Sequence, residues 1–310
     1  THGTGRGLGS LSSYVSNLTL ITAKGEELRC NQTENPELFN AAKVSLGAFG
    51  VITEINIQNT DAYKLKREAF WLPIEEVIST SESLSKNNRH FEFFYFPFTG
   101  MSLVDTLNIT TETIQSTEEL DANSGIMDLK NARDYLSWSP KLRQLIVGGY
   151  LKTQTNISRV DHSHSIYVND RNVRFNEMEY HLPIEHGMRA LSEVISTIER
   201  NFSEVFFPIE CRYIKSEDAW ISPFYHRDSI SIAVHRYFEE DYSALFKAIE
   251  PILQKYAGRP HWGKINTFTD TQCRNAYPKW QQFLDIRKEY DPEGKFLNPY
   301  LKRLFSVKEA

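Results

Sequence analysis

The chain has 310 residues, 40% of them hydrophobic, and a formal net charge of -5, enough to bury a sizeable core and to allow two domains. No cluster of five or more lysines and arginines interrupts that weak negative charge, which argues against a nucleic-acid partner, and no apolar run approaches the ~20 residues of a spanning helix. Cys30, Cys211 and Cys273 are odd in number, far apart and without a Cys-x-x-Cys pair; they indicate neither a disulfide framework nor a zinc site, and a reducing compartment suits them best.

Residues 1–10 contain four glycines and lead into alternating strand material at 15–22, which turns at Lys24-Gly25. Asn35-Pro36 is a helix start; Leu38, Phe39, Ala42 and Val44 follow before Gly47 stops it. Gly50 opens a strand at 51–57. Past residue 59 the texture changes, with strands at 66–72 and 91–96 around a helix at 74–84. Polar, acidic residues from 105 to 131 read as a mobile insertion. Met188, Leu191, Val194, Ile195, Ile198 and Phe202 mark an amphipathic helix that packs on a sheet. Strands at 205–214 and 229–237 precede a helix at 242–256, where Pro251 predicts a kink or early break. A last helix at 280–290 stops at Asp291-Pro292. No internal repeat is apparent, and the order predicts an α+β protein with strands and helices in separate layers.

Strand alternation sends Val205, Phe207, Ile209, Cys211 and Tyr213 to one face and Phe206, Pro208, Glu210 and Arg212 to the other. Glu210 and Arg212 read first as an exposed ion pair of little consequence. The next strand shifts that balance: Ser229, Ser231, Ala233 and His235 share a face opposite Ile230, Ile232 and Val234, leaving room for a polar ligand such as a polyol or sugar lactone. His235 alone reads equally as a hydrogen-bonded structural histidine. His162 and His164 lack the further ligands of a metal site, and no metal is expected. Near the C-terminus, Gly258-Arg259-Pro260-His261-Trp262-Gly263-Lys264 holds a lysine in a shaped turn.

The stretch 256–269, followed by Tyr277, Trp280, Asp285-Ile286-Arg287, Asp291-Pro292, Gly294, Phe296-Leu297-Asn298 and Tyr300-Leu301, resembles the C-terminal region of the aldonolactone oxidases. These are the L-gulonolactone and D-arabinono-1,4-lactone oxidases, with alditol oxidase nearby, in the vanillyl-alcohol-oxidase group of flavoenzymes. The opening Thr1-His2-Gly3-Thr4-Gly5, the run 18–23 and the run 39–57 resemble the second half of that family's PCMH-type FAD-binding domain. The resemblance implies residues 1–59 as the second part of the FAD domain, its first part missing, and 60–310 as an α+β substrate domain with an antiparallel sheet and flanking helices.

It further implies a hydride moving from a substrate CH–OH to FAD, with oxygen or another acceptor taking the electrons. Lys264 matches the family's active-site lysine, a cation beside the reduced ring or a hydrogen bond to the reacting hydroxyl. Glu210 and Arg212 match its Glu-x-Arg pair, Arg212 holding substrate oxygens and Glu210 orienting it or accepting a proton. His235 matches a further substrate contact and His261 a position against the flavin. Thr1, His2, Gly3 and Thr4 match the loop whose backbone reaches FAD, and Ile52 a residue whose backbone meets the nucleotide. In many members a histidine upstream of these residues bonds covalently to the flavin. The alternatives are a dehydrogenase of the same fold with another alcohol substrate, and a flavin-free carbohydrate-binding module. The resemblance is compatible with a cytoplasmic protein and with a peripherally membrane-associated one.

Overall fold

The structure is a computed structural model that describes residues 2–114, 122–167 and 173–307, with backbone alone at 122–124 and 126. The segment 115–121, within the predicted insertion, lies outside the described residues. In chain order the elements are β1 (Val15–Ile21), β2 (Glu27–Asn31), α1 (Pro36–Ala42), β3 (Val51–Ile57), β4 (Lys64–Pro73), α2 (Ile74–Asn87), β5 (His90–Phe96), β6 (Met101–Thr110), α3 (Ala122–Tyr135), α4 (Pro140–Leu151) and β7 (Ile157–His162). Then come α5 (Ser163–Tyr167), β8 (Phe175–Pro183), α6 (Ile184–Asn201), β9 (Ile209–Ile214), β10 (Ser229–Tyr237), α7 (Ser243–Lys255), β11 (Arg259–Pro260), α8 (Asp270–Ala276), α9 (Trp280–Tyr290) and α10 (Pro299–Leu304).

Two sheets organise these elements. A three-stranded sheet has the order β2-β1-β3, and an eight-stranded antiparallel sheet the order β11-β8-β10-β9-β5-β6-β4-β7. One core joins them: Leu18, Leu20, Phe39 and Phe49 belong to the same buried cluster as Phe91, Phe93, Cys211, Tyr213, Ile230 and Ile232. These last six point to the face of the large sheet covered by α2, α6 and α7. Burying that face is the dominant favourable term in the fold.

Four expectations need correction. Residues 105–110 belong to strand β6, because Val104, Thr106 and Leu107 pack where polarity alone reads as loop. The strand predicted from 205 begins at Ile209; Pro208 has no N–H for a ladder, and Phe206 and Phe207 form a satellite cluster with Val173 and Tyr237. Helix α7 continues past Pro251 to Lys255, so the early break does not occur.

The fourth concerns repeats. Strands and helix β4-α2-β5-β6 and β8-α6-β9-β10 are two βαββ units placed back to back about the β5/β9 pair. Both helices start at the same tetrapeptide, Leu72-Pro73-Ile74-Glu75 and Leu182-Pro183-Ile184-Glu185, where proline ends the strand and stands immediately before the helix. The strand registers keep this equivalence. Ala69 pairs with Asp105 and Asp105 with Glu92 in the first unit; Glu179 pairs with Ala233 and Ala233 with Glu210 in the second. Glu92 therefore occupies in one unit the place of Glu210 in the other. The duplication escapes a reading of composition because it survives in topology and one short word.

Candidate functional site

The second face of the large sheet is polar. Alternation brings Glu177, Glu179 and His181 of β8, Ser229, Ser231, Ala233 and His235 of β10, Glu210 and Arg212 of β9, Glu92 of β5 and Asp105 of β6 to one surface. Of the residues singled out by sequence, it gathers Glu210, Arg212, His235, His261, Lys264 and His2.

The glycine-rich opening is sewn into the sheet. Thr4 Oγ1 donates to the Phe91 carbonyl and His90 Nδ1 sits 2.8 Å from the Thr4 carbonyl. The Gly5 amide donates to the Tyr213 carbonyl at 2.6 Å. Residues 4 and 5 thus wedge between β5 and β9 where these diverge. Only glycine serves at position 5, where φ is +152° and a Cβ would stand 2.6 Å from the Arg89 carbonyl oxygen. Thr4 is consequently a buried staple, and its neighbour His2 is delivered to Glu179, with Nε2 2.9 Å from Oε1.

The lysine turn forms along the edge of β8. Arg259 pairs with His181, and the His261 amide donates to the Glu179 carbonyl at 2.9 Å. The chain then makes a turn closed by the Lys264 amide on the His261 carbonyl at 3.0 Å, and rejoins β8 through the Ile265 amide and the Glu177 carbonyl. Trp262 turns away into the core: Nε1 donates to the Ile221 carbonyl at 2.7 Å and the ring stacks on Tyr277 and Trp280. His261 and Lys264 are left on the polar face, and Nζ of Lys264 is ion-paired to Glu177.

Glu179 is the hub. Its Oε1 accepts from His2, from Ser231 and from Arg212 Nη2 at 2.7 Å. Burial alone would raise its pKa, but Arg212 and the His2 hydrogen bond outweigh burial and hold the carboxyl well below its usual range. Arg212 Nε lies 3.4 Å from Glu210 Oε1 without a hydrogen-bond partner. Glu177, next along β8, faces His235 Nε2 at 3.6 Å, while His235 Nδ1 sits 3.1 Å from the Pro208 carbonyl.

His181 and His261, both near Glu179, have their pKa values lowered by burial, His261 to about 4 and His181 well below its ordinary value. His181 is fully buried, packed edge-on to Phe224 and His2, and neither of its ring nitrogens has a partner. Glu92 moves the other way: burial first, then the carboxylates of Glu210 and Asp105, push it up to about 8. It stands beside Asp105, which Arg67 clamps through Nε and Nη2, the latter at 2.6 Å.

Ile52, His162 and His164 lie elsewhere. Ile52 lies on β3 opposite Leu20, in the small sheet. Thr1 lies outside the described residues. His162 and His164 stack on each other, ring centroids 5.7 Å apart, on the far side of β4 from β6. Sequence reasoning missed Glu92, Glu177, Glu179 and His181. A signal existed for each, since Glu177-x-Glu179-x-His181 alternates on one face and the repeated Leu-Pro-Ile-Glu word maps Glu92 onto Glu210. Two trios, His2/Glu179/His181 and Glu177/Glu210/His235, each bring three possible ligand atoms within 4.8 Å, but Arg212 and Lys264 already supply the positive charge there.

The fold is shared with a cholesterol oxidase from B. sterolicum, which superimposes with a TM-score of 0.70, covering 98% of this chain and 71% of that one at 14% identity. Residues 55–304 match the family model of D-arabinono-1,4-lactone oxidase. The chain is 34% identical over 312 residues to the L-gulono-1,4-lactone dehydrogenase of Mycobacterium tuberculosis (98% of this chain, 71% of that protein). It is 31% identical over 318 residues to the L-gulonolactone oxidase of Bos taurus, with the same two coverages. The chain belongs to the D-arabinono-1,4-lactone oxidase family, a family of oxidoreductases.

Proposed function

We propose that the polar face of the large sheet binds a neutral sugar lactone or alditol and that the protein oxidises one of its CH–OH groups with FAD as cofactor. The observation that carries this reading is the convergence of Lys264, Arg212, His235 and two histidines of lowered pKa on one buried surface. Residues 1–59 serve as part of the FAD-binding domain and 60–310 as the substrate domain. The donor set suits a polar, aromatic cofactor. His181 is an imidazole fully buried with both nitrogens orphaned, a costly arrangement that a bound polar group relieves, and Gly3 exposes bare backbone with nothing within 4 Å of where a Cβ would stand. His2, Gly3 and His261 would hold the flavin, with Ile52 contributing backbone to the nucleotide. Bound there, the flavin supplies the hydride acceptor.

The chain's own groups supply the rest. Arg212, fixed by Glu179 and Glu210, offers donors in a rigid fork to substrate oxygens. His235, held by the Pro208 carbonyl, lines the same surface. Glu210 or Glu177 accepts the hydroxyl proton, and Lys264, already placed by Glu177, stabilises negative charge as it develops. Replacing Lys264 by Met in the flavin-loaded protein should slow flavin reduction by the substrate about 10²- to 10³-fold, the range for one lost electrostatic donor; an unchanged rate removes the lysine from the mechanism.

Oxygen as final acceptor is the first reading and a carrier other than oxygen the second, since one relative is named a dehydrogenase and another an oxidase. Stopped-flow reoxidation of the reduced protein by air, compared with an artificial acceptor, decides between them.

A further inference from the structure

Helix α4 wears its apolar stripe on the outside. Leu142, Leu145, Ile146 and Tyr150 recur at i, i+3, i+4 and i+8, one face of a helix, yet they are 36%, 74%, 49% and 52% exposed. Just before them Tyr135 and Trp138 are 80% and 75% exposed. The inward face is partly the polar one: Arg143 is buried and donates to the carbonyls of Ser203 and Glu204, and Gln144 donates to that of Ser203. This is the reverse of α6, whose apolar stripe of Leu191, Val194 and Ile198 is wholly buried. A cluster of six large apolar side chains facing water marks an interaction surface.

Its chemistry selects the partner. Between Asp134, which is paired to Lys130, and Asp161, which is paired to Arg159, the chain carries no other aspartate or glutamate, and Lys141 and Lys152 stand exposed at the two ends of the helix, although the whole chain is net negative. Aliphatic residues at the centre of a stripe, with tryptophan and tyrosine beside them and lysines at both ends, form the composition of a helix lying in a bilayer interface. The 12 residues of α4 are too few to cross a bilayer, and its flanking cations complement an anionic leaflet.

We propose that α4, with Tyr135 and Trp138, is an interfacial helix that seats the protein on an anionic lipid surface. The inference is independent of the chemistry at the polar face. The stripe enters the headgroup and acyl boundary, and Lys141 and Lys152 remain among the headgroups.

Flotation with phosphatidylcholine vesicles, with and without phosphatidylserine, tests it on the flavin-loaded protein. Wild type should float with the anionic vesicles, and salt should reduce the bound fraction. The double substitution L145E/I146E, on solvent-facing positions, should abolish flotation while circular dichroism and turnover of a soluble substrate are unchanged. K141Q/K152Q should weaken partitioning about fivefold per lysine on anionic vesicles only, and it disturbs no packed residue. The proposal is overturned if wild type stays unbound at every lipid concentration, or if it and L145E/I146E float alike. It is equally overturned if sedimentation shows wild type to be a dimer that L145E/I146E dissociates, without lipid binding, because the stripe is then a contact between two copies.

Discussion

Replacing Glu92 by Gln should leave stability unchanged at pH 4 and raise it above neutrality. An ordinary glutamate titrates near 4.3, whereas burial, followed by the charges of Glu210 and Asp105, pushes Glu92 up to about 8. Because the folded-state value lies above the unfolded one, the stability tied to this group is fully present below about pH 4.3 and is lost as pH rises toward 8. The difference of roughly 3.7 units corresponds to a ceiling of about 5 kcal/mol at 1.36 kcal/mol per unit. Glu92 is only partly buried, and screening by water reduces this to about 1–3 kcal/mol. Urea denaturation of wild type and Glu92→Gln at pH 5 and pH 8 reads the difference directly, since every other titrating group cancels between them. A variant no more stable than wild type at pH 8 would mean that Glu92 is ionised throughout, and the neutral carboxyl would be refuted.

Acid should act in the opposite sense through the histidines. His90 and His261 are pushed down to about 4 by burial, and His181 well below its ordinary value; their stability is complete above the unfolded value of about 6.5 and is lost as pH falls. Three such groups contribute at most about 4 kcal/mol per pH unit between 6.5 and 4, and Glu92, screened, offsets about 0.3–0.8, so unfolding free energy should fall by up to roughly 3 kcal/mol per unit; a flat urea midpoint from pH 6.5 to 5 contradicts this. Glu179→Ala strands Arg212 and His2 without their shared acceptor and should cost about 3–5 kcal/mol in chemical denaturation, partly recovered in Glu179→Leu/Arg212→Met. If the site takes a neutral ligand, the aldonate made by opening the lactone should inhibit at least about tenfold more weakly than a lactone analogue binds, because its carboxylate meets the negative charge of Glu177, Glu179 and Glu210; equal affinities count against the assignment.

Local rules made the single elements readable. Strand alternation placed Glu210 and Arg212 on one face and Ser229, Ser231, Ala233 and His235 on theirs, and the structure pairs Ser231 with Arg212 and Ala233 with Glu210 across the ladder. The limits of β3, β10 and α9 coincide with the predicted ones, since glycine, turn residues and Asp-Pro punctuate the chain there. The partners of those charges were not readable. That Lys264 meets Glu177, and Arg212 meets Glu179, depends on β8 being the neighbour of both β10 and the lysine turn, a non-local fact. Polarity likewise misled at β6, whose Asp105 is buried because Arg67 on the adjacent strand neutralises it.

The duplication shows where the two halves of this face differ in chemistry. At equivalent places the second unit has Glu177, Glu179 and His181 on its outer strand where the first has Arg67, Ala69 and Trp71, and Ser231, Ala233 and His235 where the first has Leu103, Asp105 and Leu107. The second set is rich in small or hydrogen-bonding groups; the first is bulkier, and Leu107 and Leu65 are closed off by Ile166 of α5. Glu92 and Glu210 sit at the join, side by side with Arg212 between the two halves. Arg212 alone does not neutralise Glu210, Glu179 and Glu92 together. The carboxyl farthest from Lys264 along the strand order is Glu92, and burial, followed by the charges of Glu210 and Asp105, pushes it up to about 8. A neutral carboxyl next to Arg212 is a hydrogen-bond donor, so the wall contributed by the first unit is also able to hold a hydroxyl or carbonyl oxygen of a ligand lying against the second.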